Sequence, residues 1–311
     1  MDTSARTASE TTVGTLARRY VELVVATAGV LLFFVVLLLI GAAVVGPHDH
    51  GLPAETAAIM GDTWPGKPDN CVTGQLVPNC YREPVVTDAI VKQPLSTYSA
   101  FALTLAGLWV LWVLGRERAE GTTGSNPMIG NGFYLGALGL VGVLMGPGAI
   151  LFHTPLTSWG GVLDQVSMYL LLGFMVAYNV VRTTRPDADR AVFVGVFAAV
   201  VVAGFLVAAA SGDISTYLFI ASALLVALFE VLTFAVFLPR RNVVRSPGRF
   251  WFGAVGALLA GVGVWIAGNP AVGGPTDFPF HLLWHVAAGV FLVAYFYYLR
   301  SETAKARVES T

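Results

Sequence analysis

The chain has 311 residues, of which 56% are hydrophobic and only 12% charged, with a mean hydropathy of +0.71. An ordinary soluble domain carries roughly 25% charged residues, so this composition excludes one and identifies an integral membrane protein. The net charge of −1 says nothing by itself about partners, because the basic residues are unevenly spread, and no nucleic-acid partner is expected.

A helix needs about 20 predominantly apolar residues to cross a bilayer. Such stretches lie near 21–45, 95–115, 131–152, 161–181, 191–211, 215–238, 250–268 and 278–299, which predicts an all-α membrane protein with eight spans. Residues 1–20 precede the first span as a tail holding Arg6, Arg18 and Arg19. That span is longer than the 7 to 15 apolar residues of a signal peptide's central region, so an uncleaved anchor is expected.

The loop at 46–94 carries His48 and His50 in PHDHG, then Cys71 and Cys80 in CVTGQLVPNC. In an outward-facing compartment a disulfide across that interval is chemically reasonable, with two free thiols as the other reading. A loose H-D-H cluster at a helix end has no fixed geometry, so His48 and His50 read as solvated loop residues.

Three later segments concentrate ionisable groups. In GPGAILFHTPLTSWGGVLDQVSM the third span ends at His153, a short turn follows and Asp164 opens the fourth span. In HLLWH, at the start of the last span, His281 and His285 are four residues apart, which places them on one helix face about 6 Å apart along the axis. Glu230 lies deep in the sixth span, in ALFEVLTF, where an interhelical structural role is expected. Asp277 precedes His281 by four residues and reads equally as a helix cap or as an acceptor for an imidazole N–H.

The connections are short and polar or rich in Gly and Pro, as in RTTRPDADR and GNPAVGGPTDFP, so no linker divides the bundle. Short cytoplasmic loops retain basic residues, and with eight spans the inner segments hold fifteen of the Lys and Arg residues against three outside, Lys67, Arg82 and Lys92. The alternation puts both termini in the cytoplasm, ending in a tail at 300–311. His153, His281, His285 and Asp164 then share the extracytoplasmic rim.

Ionisable groups inside a membrane are costly and suggest function; four of them at one depth suggest a metal site. Three neutral imidazoles suit zinc and leave one coordination position for water, and Asp164 is placed to take that water's proton. The reaction class is metal-assisted hydrolysis of an amide or ester.

At these residues the chain resembles the alkaline ceramidases and the wider CREST superfamily of seven-helix membrane hydrolases. The motifs are NCYREP and IVKQPLSTYSA, GPGAILFH with LDQVSM, and HLLWH, within about residues 80 to 299. The resemblance implies a seven-helix ceramidase-like domain at 95–299 behind an extra N-terminal helix. It also implies zinc on His153, His281 and His285, water activation by Asp164, and a ceramide-like lipid as the substrate, cleaved at its amide bond. Oligomeric state is left open.

Two positions depart from the family pattern. Ala149 stands where the family has a serine that assists the oxyanion, with Thr154, Thr157, Ser158 and Ser96 as nearby hydroxyls. In the segment that binds calcium in animal members, Glu83 and Asp88 are present but Gln93 replaces a glutamate, so calcium is not expected. Two other readings stay open: a lipid esterase or phospholipase of the same superfamily, and a metal-containing lipid-binding receptor without turnover.

Overall fold

A computed structural model describes Glu83 and residues 91–124, 126–129, 132–156, 158–184, 190–210, 212–232, 243–244, 248–268 and 279–304. The expected first span at 21–45, and the readings of His48, His50, Cys71, Cys80, Asp88 and Asp277, lie outside these residues.

The short helix α1, Pro94–Ser99, runs into α2, Phe101–Glu120, as one apolar span. Then come α3, Gly132–His153, α4, Ser158–Thr184, α5, Arg190–Ala210, and α6, Gly212–Leu232. The last two helices are α7, Gly248–Gly268, and α8, His281–Arg300. Among the described residues six helices are long and apolar enough to cross a membrane, and α6 has a shorter apolar stretch, Leu218–Glu230. The protein is therefore an all-α membrane protein in its described part. The sequence reading ended the second span at 115, but α2 continues to Glu120, where Arg116 and Glu120 pair at 3.4 Å, and Gly121 closes it at φ 66°. An apolar window ends too early because that last turn is polar.

Helix α3 sits at the centre, packed against α2 and α4, while α8 packs between α2 and α7, and α5 and α6 lean on α4. Close approach between α2 and α3 depends on Gly107, where an added Cβ would run into the backbone of Gly142 and Val143. Pro147 inside α3 has no N–H for the carbonyl four residues earlier. That carbonyl, of Val143, accepts the Thr104 hydroxyl of α2 at 3.5 Å instead, which is how a bundle tolerates proline where no water reaches the backbone.

Helices α5 and α7 turn large apolar side chains outward, including Val202, Phe205 and Leu206 on one and Phe252, Leu259 and Ile266 on the other. In water such faces mark an interface; in a bilayer they meet acyl chains. Although consecutive in the chain, α6 and α7 do not pack extensively against each other.

Opposite the histidine end, a buried polar cluster joins α4, α6 and α8. Arg182 pairs with Glu230 at 2.6 Å and Glu302 at 2.5 Å, and also bonds Asn179. Tyr295 and Tyr298 each donate to Glu230 at 3.2 Å. The interhelical role expected for Glu230 is thus met by an ion pair and two phenols. Nearby, the Asn126 side chain donates to the carbonyls of Leu299, Arg300 and Glu302, which closes the end of α8. Beyond it, β1, Val243–Val244, pairs antiparallel with β2, Thr303–Ala304, in the register Val243 opposite Ala304.

Candidate metal centre

His153 occupies the last turn of α3, and His281 and His285 the first two turns of α8. All three are buried, at 0%, 3% and 2% exposure, and one ring nitrogen from each lies within 4.8 Å of the others. The spacing of HLLWH sets the α8 pair, as expected from a helical i, i+4 repeat. Packing of α8 against α1 and α3 brings His153 to them.

The loop between α3 and α4 is tight. Leu156 adopts the left-handed region at φ 52°, its N–H bonded to the Phe152 carbonyl at 2.8 Å. Such a conformation is uncommon for a bulky residue and carries strain. It lets α4 start back along α3 at once. Gly160 then lies against the Leu151 carbonyl and Gly148 against Ser167, where a Cβ would come within 2.5 Å of the serine Cβ. These contacts set the level of Asp164 one turn farther along α4.

Hydrogen bonds at the far ring atoms suit one pair of tautomers. The Ser99 hydroxyl donates its single proton to the Ser96 carbonyl at 3.0 Å, so towards His285 Nδ1, 2.8 Å away, it accepts. With that assignment His285 carries its proton on Nδ1 and leaves Nε2 free. His153 Nδ1 donates to Gln93 Oε1 at 2.6 Å, with the same result. The Nε2 atoms of His153 and His281 then face each other at 3.1 Å. With His153 protonated on Nδ1, His281 Nε2–H donates across that gap, and two metal bonds of about 2.0–2.1 Å at a tetrahedral angle span about the same distance, so a cation could replace that proton. The donor set thus fits a divalent metal such as zinc.

Asp164 is not one of the clustered ligands. It lines two cavities that begin at the histidines. One holds about 490 Å³, open solvent included, among Asp164, Gln165, Phe152, Trp265, His281 and Trp284. The other, about 660 Å³ on the same measure, starts at Asp164, Ser167 and His285 and descends past Met168 and Leu171 to Met175 and Phe291. Along α4 that descent covers about 16 Å at 1.5 Å per residue. Phe219 of α6 and residues of α7 complete both walls.

All four residues singled out in the sequence therefore reach one region: three as a ligand cluster and Asp164 across the cavity. Ala149 is buried in a small apolar cluster with Ala100 and Ile150. Of the hydroxyls considered in its stead, Ser96 donates to Glu83 at 2.5 Å, while the Thr154 hydroxyl is buried without a hydrogen-bond partner among the described residues. Thr157 and the Ser158 side chain lie outside those residues. The hydroxyl that does line the lower cavity is Ser167, three residues after Asp164 on the same helix face, a spacing visible in the sequence. Ser99 and Gln93 have no such signal, being 186 and 60 residues from the rings they touch.

Compared with protein-family models and with curated protein sequences, the chain matches none.

Proposed function

We propose that this chain is a zinc-dependent intramembrane hydrolase that cleaves the amide bond of a ceramide-like lipid. The observation that carries the reading is the meeting of three buried imidazoles and a carboxylate at the head of an apolar cavity within a membrane bundle. The motif resemblance to alkaline ceramidases supports the choice of an amide. In this reading the described helices are the seven-helix domain at 95–299, and residues 21–45 add an eighth span. Both termini are cytoplasmic and the metal centre lies near the extracytoplasmic face of the cell membrane. The gathering of Arg116, Arg118, Arg182, Arg190, Arg249 and Arg300 at the helix ends away from the histidines supports that orientation.

His153, His281 and His285 would hold the metal. Zinc held by three neutral imidazoles would supply Lewis acidity that polarises a carbonyl and makes water nucleophilic near neutral pH. Asp164 takes a proton from the attacking water and returns it to the departing nitrogen as the carbon–nitrogen bond breaks. The lower cavity takes the acyl chain, and its apolar wall keeps water away from everything but the head of the site. The limited packing between α6 and α7 would let a lipid reach the cavity sideways from the bilayer.

The test is metal content by elemental mass spectrometry on wild type and His281→Ala, with hydrolysis of a short-chain fluorescent ceramide followed on the same samples. We expect about one zinc per chain, lost in the variant together with turnover. Absence of metal from the wild type would overturn the proposal. Zinc without turnover would favour the lipid-binding protein, for which Ala149 at the family's serine position is the supporting observation.

A further inference from the structure

Helix α1 starts with a problem of hydrogen bonding. Its N-cap, Gln93, makes no side-chain cap bond, and Pro94 follows at the first position. The next two N–H groups, of Leu95 and Ser96, are those an N-cap side chain ordinarily satisfies. Here a residue twelve positions upstream does so. Glu83, 3% exposed, accepts from Leu95 N at 2.5 Å through one carboxylate oxygen, and from Ser96 N at 2.8 Å and Ser96 Oγ at 2.5 Å through the other.

The helix so capped holds the partners of two metal ligands. Gln93, at its start, meets His153 Nδ1, and Ser99, at its end, meets His285 Nδ1. The backbone before it is tied to the end of α3 as well, Lys92 N to Thr154 O at 2.8 Å and Gln93 N to His153 O at 3.0 Å. Groups that hold a ligand's second nitrogen fix ring orientation and raise basicity, and their loss typically weakens metal binding about 10- to 100-fold.

We infer that Glu83 is a positioning residue of the metal centre: by capping α1 it fixes Gln93 and Ser99, the two side chains that orient His153 and His285. The inference rests on the metal site proposed above. It also gives Glu83 a role other than calcium ligation. A calcium ion takes six to eight oxygen ligands, whereas N–H and O–H groups already present their positive ends to both Glu83 oxygens, and the Gln93 oxygen faces an imidazole N–H. These residues do not fit calcium; protein donors occupy the place where a cation would bind.

The decisive experiment measures zinc affinity by competition with a chromophoric chelator for full-length wild type, Glu83→Gln and Ser96→Ala, and records visible spectra of the cobalt(II)-loaded proteins. Glu83→Gln turns an NH₂ towards an N–H donor, and Ser96→Ala removes one of the three bonds. We expect zinc binding about 10- to 100-fold weaker in Glu83→Gln, a smaller loss in Ser96→Ala, and an altered cobalt band in both, with calcium restoring neither. A cobalt spectrum reports ligand geometry, which a purely stabilising role for Glu83 would leave unchanged. Wild-type zinc affinity and an unchanged spectrum in folded Glu83→Gln would overturn the inference while leaving the metal site standing. Should that variant fail to fold, Ser96→Ala decides in the same way. A wild type that binds neither ion would overturn the metal site and this inference together.

Discussion

Asp164 faces the cavities beside His281 and His285 with no hydrogen bond or ion pair to its carboxylate among the described residues. Its backbone carbonyl, by contrast, accepts the Ser167 hydroxyl at 2.6 Å. An ionisable carboxylate at the wall of a cavity within a membrane bundle fits a proton carrier. Asp164→Asn keeps the shape and removes the base. Turnover of a ceramide-like substrate should fall by about 10²- to 10⁴-fold while zinc content stays that of the wild type; loss of the zinc instead would make Asp164 a ligand. At this scale the sequence was informative where a local repeat carried the information. His281 and His285 share a helix face by spacing alone, and Asp164 lies close behind His153 across a short turn. Gln93 reads as a missing calcium ligand because its partner is fixed only by packing between α1 and α3, and Ser99 gives no signal because its partner is fixed only by packing between α1 and α8.

Between elements, the cluster at the end away from the histidines contains one arginine and two carboxylates. Glu230 receives Arg182 and two phenols and is well compensated. Glu302, just beyond α8, pairs with Arg182, and burial together with the nearby charge of Glu230 pushes its carboxyl up to about 7 despite the pull of Arg182. A carboxyl raised in the folded state makes its full contribution to stability below its unfolded value of 4.5, and loses it as pH rises through about 7. The thermal midpoint of the detergent-solubilised protein should therefore decline between those limits. Glu302→Gln should flatten that decline, and an identical pH profile in the variant would contradict the assignment. Glu230 was recognisable from the sequence as a buried acid in an apolar span, but its partners were not. Arg182 looked like an ordinary basic residue of an inner loop, and the two-residue pairing of β1 with β2 is too short to leave a pattern in the sequence.

For the molecule as a whole, hydropathy made the bundle legible and left its arrangement hidden, since eight apolar stretches specify no neighbours. Packing turns α3 and α8 into the supports of the histidine cluster and leaves α6 and α7, among the described residues, without extensive contact with each other. That separation bears on function, because both helices line the cavity below the histidines, through Phe219 and Ala223 on one and Ala257 and Leu258 on the other. An acyl chain held there, as proposed, would occupy the space in front of Ala223, so a large ring at that position should exclude it without disturbing the imidazoles on α3 and α8. Ala223→Trp should reduce kcat/KM for a long-chain ceramide at least about tenfold, on the order of the 1–3 kcal/mol that apolar pocket contacts contribute to discrimination, and should retain its zinc. Leu224→Trp, one residue on and turned towards the bilayer, controls for the insertion of tryptophan and should behave as the wild type. If both variants hydrolyse the lipid normally, the chain lies elsewhere and the opening between α6 and α7 is not its path; if only Ala223→Trp is impaired, the cavity below the metal is where the lipid is held.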